Sequence, residues 1–242
     1  MSTVGLIVAA AGTGTRFGGN EEKALAVVHG RPMLAWTLLA FDGFDDIVER
    51  VVTVPSERED VFHKRVLDGL DLRHPVRLVA GGAERQDSVA RGLAALTDRA
   101  EWVLVHDAAR PLVTKTLIRR VIGALMEGES VVPALHPRDS VARTGFEGWI
   151  KAYENRDRLV SVQTPQGFHH QVLDHAIQRA RADKFHGTDE ASLVLRLEHP
   201  VTWTHGEITN IKITYPEDVD LAEALLARRE AAAGTKPTPE AP

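Results

Sequence analysis

Hydrophobic and polar positions follow two different patterns along the chain. Short runs without polar side chains, of which VGLIVAA at residues 4–10 is the clearest, predict strands that are buried on both faces of a sheet. The longer segments between these runs have the hydrophobic spacing of helices. Strands are predicted at residues 4–10, 48–54, 76–80, 102–106, 131–135 and 161–163, and helices at residues 32–41, 57–70, 84–96 and 114–126.

The alternation of strands and helices predicts an α/β fold. Uninterrupted apolar strands favour a doubly wound, mainly parallel, Rossmann-like sheet with helices on both faces. Right-handed crossovers then bring every loop that follows a strand to one edge of the sheet, where ligands bind. We expect residues 1–230 to form a single domain of this kind.

Two segments depart from the alternation. Residues 136–159 are polar, lack a helical period and contain turn signals, and an insertion of this length is usually functional or part of an interface. The last residues, 231–242 (AAAGTKPTPEAP), are rich in Pro and Ala and are predicted to be a disordered tail.

Composition excludes several classes of protein. The chain has 242 residues and a net charge of −5, from 29 Lys and Arg against 34 Asp and Glu, which argues against a broad nucleic-acid-binding surface. The absence of cysteine excludes disulfides, Cys-zinc sites, iron–sulfur clusters and thiolate nucleophiles. No apolar run reaches the roughly 18 residues of a membrane span, and the N-terminus lacks a basic signal region. We therefore expect a soluble, cytoplasmic protein with no membrane partner.

A glycine-rich loop follows the first predicted strand. Its sequence, AAAGTGTRFG at residues 9–18, has small residues whose free backbone N–H groups suit phosphate. No Gly-Lys-Ser/Thr follows, so the loop is not a Walker A phosphate-binding loop. Phe17 occupies the place of the last glycine in the dinucleotide-binding fingerprint G-x-G-x-x-G, so a nicotinamide or flavin cofactor is disfavoured. Arg16 and Lys23 add cations for a polyphosphate. An ordinary strand-to-helix turn with solvated cations is the alternative interpretation.

Two further loops are predicted at the same edge. Asp107, in HDAARP at residues 106–111, follows a buried strand and could hold Mg²⁺ or orient a sugar alcohol, although a turn aspartate is the simpler interpretation. In GGAERQDS at residues 81–88, paired glycines allow the backbone to approach a flat ligand, and Ser88 could donate to a base. A helix-capping turn is the alternative there.

Other polar positions have simpler predicted roles. Thr188 is predicted to cap a helix, with Asp189 and Glu190 favouring its dipole. Lys212 is predicted in a short strand, where a solvated side chain is the usual state. The eleven histidines show no metal-ligand spacing, and His106 is predicted to be a packing or surface residue. No G-x-S-x-G nucleophile elbow is present, which argues against an α/β-hydrolase.

Taken together, five motifs resemble one family. They are the glycine loop with Arg16, HDAARP at residues 106–111, TPQGF at 164–168, TDEAS at 188–192 and NIKIT at 210–214. In this order they resemble the 2-C-methyl-D-erythritol 4-phosphate cytidylyltransferases of the non-mevalonate isoprenoid pathway, over residues 4 to about 226. One motif alone is weakly specific, whereas five in family order are strongly so.

The resemblance implies a nucleotidyltransferase fold, a reaction and a set of residue roles. The implied reaction transfers CMP from CTP to a polyol phosphate, which gives a CDP-alcohol and pyrophosphate. The resemblance also implies Mg²⁺ that is bound mainly by CTP phosphates and also by Asp107. The implied catalytic residues are Arg16, Lys23, Arg156 and Lys212. The implied nucleotide-binding residues are Ala10, Ala11, Gly12, Gly14, Gly82, Ser88, Asp107 and Ala108. The implied contacts to the polyol phosphate are Asp107, Arg110, Ser140, Arg156, Thr164 and Lys212.

In that family the insertion is a protruding dimerisation arm, which implies a homodimer formed through residues 136–159. The arm then carries Ser140 and Arg156 to the sugar phosphate of the partner subunit. Three positions depart from the family pattern. Glu22 stands where Pro is usual and places acids beside a phosphate site, Ser140 replaces Thr but keeps the hydroxyl, and Ala83 replaces a common acidic residue.

Three alternatives stay open at this stage. A ribitol 5-phosphate cytidylyltransferase has the same chemistry, and turnover with each polyol phosphate would separate the two. A sugar-1-phosphate nucleotidyltransferase would use UTP or GTP. A non-enzymatic module would bind CTP and release no pyrophosphate.

Overall fold

A computed structural model describes residues 3–12, 14, 17–18, 22–145 and 148–234. The strands are β1 Val4–Ala9, β2 Val27–Val28, β3 Arg31–Pro32, β4 Ile47–Val54, β5 Arg77–Ala80, β6 Trp102–Asp107, β7 Ser130–Leu135, β8 Ala142–Thr144, β9 Ile150–Tyr153, β10 Ser161–Val162, β11 Gln166–His169 and β12 Val201–His205. The α-helices are α1 Met33–Phe41, α2 Glu59–Phe62, α3 Arg85–Ala95, α4 Lys115–Leu125, α5 His170–Ala182, α6 Glu190–Leu195 and α7 Glu217–Gly234.

The predicted α/β fold with a mainly parallel sheet is confirmed. Eight strands form one sheet in the order β10-β7-β11-β6-β1-β4-β5, and β12 also pairs with β7. Strands β6, β1, β4 and β5 are parallel neighbours, so their carboxyl ends share one edge. Strand β11 lies antiparallel between β6 and β7, which brings its amino end to that same edge.

Two cores cover the two faces of the sheet because neighbouring residues of its strands point to opposite sides. In β1, Leu6 packs in the core that contains α1 and α4, whereas Ile7 packs in the core that contains α3, α5 and α6. Both side chains are fully buried, which explains why the strand carries no polar position. Among the residues described, no helix combines the length and apolarity that a bilayer span requires.

Several elements differ from the sequence-based prediction. The helix predicted at 57–70 is divided into α2 and a π-helical turn, His63–Leu67. Strand β11 was not predicted, because its sequence QGFH lacks an apolar run. The residues around Lys212 are not in a strand. Helix α7 extends through residues 231–234, four residues into the predicted tail, because alanine has the highest helix propensity.

The predicted N-cap Thr188 is wrong by one residue. Asp189 has extended backbone angles and accepts the backbone N–H of Ser192 at 2.9 Å. The Ser192 hydroxyl oxygen accepts from the Asp189 N–H at 3.4 Å, which completes a capping box. This arrangement satisfies two amide donors that the first turn of a helix leaves without partners.

His106, in β6, connects the sheet to the segment before β11. Its ring is fully buried and packs edge-on against Phe41, with ring centroids 5.1 Å apart. Nε2 lies 3.2 Å from the Arg110 carbonyl oxygen and Nδ1 lies 2.9 Å from the Thr164 hydroxyl. Because a carbonyl only accepts, Nε2 carries the proton and Nδ1 accepts from Thr164. The predicted packing role of His106 is confirmed.

We expect this neutral histidine to make stability depend on pH. Burial lowers the pKa of His106 to about 4, from about 6.5 in an unfolded chain. As the pH falls from 6.5 towards 4, the unfolded state takes up a proton that the folded state rejects, so the free energy of unfolding falls by up to about 3 kcal/mol. Urea titrations at pH 7 and pH 4.5 should show this loss in the wild type and a smaller one in His106→Asn. Equal losses in both proteins would contradict a buried neutral imidazole.

Candidate active site

A cavity of about 590 Å³ lies at the carboxyl edge of β1, β4, β5 and β6. The loops that follow these four parallel strands form its walls, as the right-handed topology predicts. Its lining includes nine residues that the sequence analysis selected: Ala10, Ala11, Gly12, Lys23, Gly82, Ser88, Asp107, Ala108 and Lys212. The three predicted loops therefore meet in one place.

Close packing fixes the loop after β5 against the loop after β1. A Cβ atom on Gly81 would lie 2.3 Å from the Cβ of Ala11, so no larger residue fits without displacing that wall. The Ser88 hydroxyl accepts the Gly82 N–H at 3.1 Å and donates to the Glu84 carbonyl at 3.1 Å. Ser88 thus holds the turn that lines the cavity. Its donation to a base stays a prediction.

Asp107 is the centre of a cluster of charged side chains. Its Oδ1 accepts from Nε of Arg85 at 3.0 Å, and its Oδ2 lies 2.8 Å from Nζ of Lys212. Nε of Arg110 lies 3.9 Å from the same Oδ2. Arg85 also donates through Nη1 to both carboxylate oxygens of Glu190, at 2.7 and 2.9 Å.

The cluster sets the ionisation of its carboxylates. Burial alone would raise the pKa of the Asp107 carboxyl, but Arg85 and Lys212 outweigh this effect and hold the pKa far below its ordinary value. Burial raises the pKa of Glu190 above its ordinary value, and the Arg85 guanidinium opposes the rise. Asp107 is therefore an anion throughout the physiological range, although its side chain is only 9% exposed.

Lys23 also lines the cavity, and its ammonium is anchored beside the segment that contains Lys212. It begins a short 3₁₀ helix, Lys23–Leu25, and its ammonium donates to the Ile213 carbonyl at 3.1 Å. Gly14 packs beside it with a φ of +63°, and a Cβ atom there would lie 2.9 Å from the Cβ of Lys23. The residue before Lys23, Glu22, is paired with Arg58 through Nε–Oε1 at 2.6 Å and Nη2–Oε2 at 3.2 Å.

Other predicted residues lie near the cavity without lining it. The Thr164 hydroxyl accepts the backbone N–H of Asp107 at 3.2 Å, so it holds the residue at the cluster centre. Arg110 is largely buried and donates to the Asn210 carbonyl at 2.8 Å. Ser140 and Arg156 are exposed in the 136–159 insertion and are not among the lining residues. Arg16 lies outside the described residues.

The sequence did not identify three charged residues of this region as site residues. Arg85 lies within the selected GGAERQDS stretch, where its position after β5 was the available signal. Glu190 lies in the TDEAS motif, but its helix-dipole interpretation concealed the contact with Arg85. Arg58 lies in no motif, so its pairing with Glu22 left no signal in the sequence.

The described residues supply a poor metal site by themselves. No group of three or more His, Asp or Glu side chains among them could hold an ion. Both oxygens of the Asp107 carboxylate already contact cations, at 3.0 and 2.8 Å. Magnesium commonly binds through one or two carboxylates together with substrate phosphates. A divalent ion would therefore depend on phosphate oxygens of a ligand.

Comparisons with known proteins identify the family. The family model for 2-C-methyl-D-erythritol 4-phosphate cytidylyltransferase matches residues 4–228. A relative of that name from Syntrophus aciditrophicus is 38% identical over 224 residues, covering 93% of this chain and 96% of the relative. One from Paraburkholderia phytofirmans is 42% identical over 234 residues, covering 93% and 97%.

A solved structure extends the agreement to the fold. The crystal structure of 4-diphosphocytidyl-2C-methyl-D-erythritol synthase from Anaerococcus prevotii matches this chain with a TM-score of 0.81 at 31% identity. The match covers 94% of this chain and 99% of that one. The sequence motifs, the cavity and the comparisons lead to one conclusion: the chain belongs to the 2-C-methyl-D-erythritol 4-phosphate cytidylyltransferase family.

Proposed function

We propose that this chain transfers CMP from CTP to 2-C-methyl-D-erythritol 4-phosphate, giving 4-diphosphocytidyl-2-C-methyl-D-erythritol and pyrophosphate for isoprenoid precursor synthesis. The observation that carries the proposal is a cavity at the loops after four parallel strands that is lined by Lys23, Lys212 and Asp107, with Nζ of Lys212 2.8 Å from Oδ2 of Asp107. The identity of the two substrates in this proposal follows from membership of the family.

The chemistry requires charge neutralisation more than proton transfer. A phosphate oxygen of the alcohol phosphate attacks the α-phosphorus of CTP, the bond to the bridging oxygen breaks, and pyrophosphate leaves with that electron pair. The second pKa of a phosphate monoester is about 6, so the nucleophile is already ionised near neutral pH. His106 is fully buried and neutral, so it is unsuited to act as a general base. Bringing two anions together is the main barrier.

Each part of the cavity has a proposed role. The small residues Ala10, Ala11 and Gly12, with Gly82 and Ser88, bind the cytidine part of CTP. Lys23 binds the triphosphate, as does Arg16. Lys212 binds the attacking phosphate, with Asp107, Arg110 and Thr164 on the acceptor side. Preorganised cations of this kind stabilise the charge that develops at the α-phosphorus and on the leaving pyrophosphate.

The departure at Glu22 is compatible with this function. An acid next to a triphosphate would repel it, but Arg58 forms a two-point ion pair with Glu22. The hydrogen bond from Arg58 lowers the pKa of the Glu22 carboxyl, so the pair is ionised and close to neutral in sum. Mg²⁺ belongs to the proposal as an ion bound by CTP, and it would complete the neutralisation of the phosphates.

We also propose a homodimer in which the 136–159 insertion is the arm. Within the described part of the chain, strands β8 and β9 pair only with each other as a two-stranded sheet, and such hairpins are marginally stable alone in water. Trp149 is 73% exposed and Tyr153 is 70% exposed, and burial against a second copy would remove this apolar surface from water. Ser140 and Arg156 would then reach the acceptor side of the second copy's cavity.

The enzyme is proposed to act in the cytoplasm. CTP and polyol phosphates are multiply charged, and transfer of such charges into a lipid bilayer is strongly unfavourable. An enzyme that uses both therefore works in the compartment that makes them.

Pyrophosphate release tests the proposed function directly. The purified protein should release pyrophosphate with CTP and methylerythritol phosphate, and much less with ribitol 5-phosphate or with UTP, GTP or ATP. Turnover that favours ribitol 5-phosphate would show instead that the protein is a ribitol 5-phosphate cytidylyltransferase. Binding of CTP without any pyrophosphate release would leave only a nucleotide-binding module.

Lys212 should be essential for use of the alcohol phosphate. In Lys212→Met the cation 2.8 Å from Asp107 is lost, and we expect kcat/KM for methylerythritol phosphate to fall about a hundredfold, or about 2.7 kcal/mol. The KM for CTP should change little. Lys115→Met, an exposed lysine at the start of α4, is the matched control and should behave as the wild type. A normal rate in Lys212→Met would remove that residue from the site.

Complementation between two inactive variants tests the arm. Arg156→Ala and Lys212→Met affect the arm and the cavity respectively, so each homodimer should be inactive. After unfolding and refolding as a mixture, half of the dimers would be hybrids with one intact site, and activity should return to about a quarter of the wild-type value. If no activity returns although size measurements still show a dimer, Arg156 of the arm acts in the cavity of its own chain.

A further inference from the structure

Glu190 is buried behind the cavity and contacts it only through another residue. Its side chain is 1% exposed and it does not line the cavity. Both of its oxygens accept from Nη1 of Arg85, at 2.7 and 2.9 Å. A carboxylate that is removed from water to this extent requires a charged partner, and Arg85 is that partner.

Arg85 uses different nitrogens for its two carboxylates. While Nη1 contacts Glu190, both Nε and Nη2 lie 3.0 Å from Oδ1 of Asp107. The other oxygen of Asp107, Oδ2, lies 2.8 Å from Nζ of Lys212. The four groups therefore form a row of alternating charge from a buried helix to the cavity: Glu190, Arg85, Asp107 and Lys212.

The row determines how Asp107 divides its hydrogen bonds. Glu190 keeps one nitrogen of the guanidinium turned away from the cavity, so Arg85 reaches only Oδ1 of Asp107. Oδ2 is left for Lys212. Without the Glu190 carboxylate, the guanidinium would be free to turn and place two of its donors on the two oxygens of Asp107, and Lys212 would lose its fixed partner. Arginine is suited to this bridge because its donors form a rigid planar fork.

We propose that Arg85 and Glu190 are positioning residues for the polyol phosphate, acting through the Asp107 carboxylate on Lys212. The inference rests on the proposed function, in which Asp107 and Lys212 bind the acceptor. It assigns the TDEAS motif a role in acceptor binding, although its Glu190 touches no substrate. The cytidine-binding residues of the loops after β1 and β5 lie outside this row.

Steady-state kinetics of four variants test the proposal. Glu190→Gln keeps the shape of the side chain and removes its charge, and we expect it to raise the KM for methylerythritol phosphate at least tenfold. The KM for CTP should stay within about twofold, since the row ends on Lys212, which the proposed function assigns to the attacking phosphate. Arg85→Gln should have the same effect, and Arg85→Lys, which keeps the charge without the fork, a smaller one. Asp183→Asn is the control, because it removes a surface carboxylate paired with Arg196, away from the cavity.

A double variant tests whether Glu190 acts through Arg85 or independently of it. If Glu190 acts through Arg85, Glu190→Gln should add little to the KM for methylerythritol phosphate once Arg85→Gln is present, whereas independent effects multiply. Thermal melting identifies unfolding. If Arg85→Gln does not fold because it leaves the buried Glu190 carboxylate without a charged partner, the comparison of Glu190→Gln with Arg85→Lys decides, since neither variant leaves that charge uncompensated.

Three results would overturn the inference. They are equal increases in the KM for both substrates, unchanged kinetics in a folded Glu190→Gln, and full multiplication in the double variant. A wild-type protein that releases no pyrophosphate from CTP and methylerythritol phosphate would instead refute the proposed function. Direct titration of methylerythritol phosphate would then still measure whether Glu190→Gln weakens binding of a polyol phosphate.

Discussion

The site depends on one carboxylate that is held in place by cations on two sides. Asp107 ends β6, the strand next to β1 in the middle of the sheet, and its oxygens contact Arg85 at 3.0 Å and Lys212 at 2.8 Å. Arg85 comes from the start of α3 and Lys212 from the segment after β12, which are distant in sequence. An unpaired carboxylate at this depth would be costly, so folding of the sheet and assembly of the site are coupled.

The sheet itself explains why the polar groups converge at this edge. Its central strands are covered by helices on both faces, so most of their side chains are apolar, and the charged Asp107 stands at the carboxyl end of β6. The loops at the carboxyl ends are the first positions where charge can contact water. Strand β11 adds Thr164 to this edge because it runs antiparallel to β6, and the Thr164 hydroxyl then holds the backbone of Asp107.

An ion pair makes the unusual Glu22 compatible with triphosphate binding. Glu22 lies beside Lys23, where an acid would oppose a triphosphate, but Arg58 from the loop after β4 offsets its charge. Glu190 has the corresponding relation to Arg85 on the acceptor side. In both pairs a guanidinium offsets the charge of a carboxylate.

Local sequence patterns were sufficient for the α/β class and for strands β1, β4, β5, β6 and β7, because an apolar run of this length is stable only when it is buried. The residues of the cavity came instead from the resemblance of the motifs to one family. The local patterns did not reveal β11, whose polar sequence QGFH is a strand only because β6 and β7 offer free edges on both sides. Nor did they reveal which charges pair. Arg85 and Glu190 are 105 positions apart and Arg58 and Glu22 are 36 apart. Such partners are chosen by the geometry of the folded chain, since Coulomb attraction acts through space and leaves no periodic trace along the sequence.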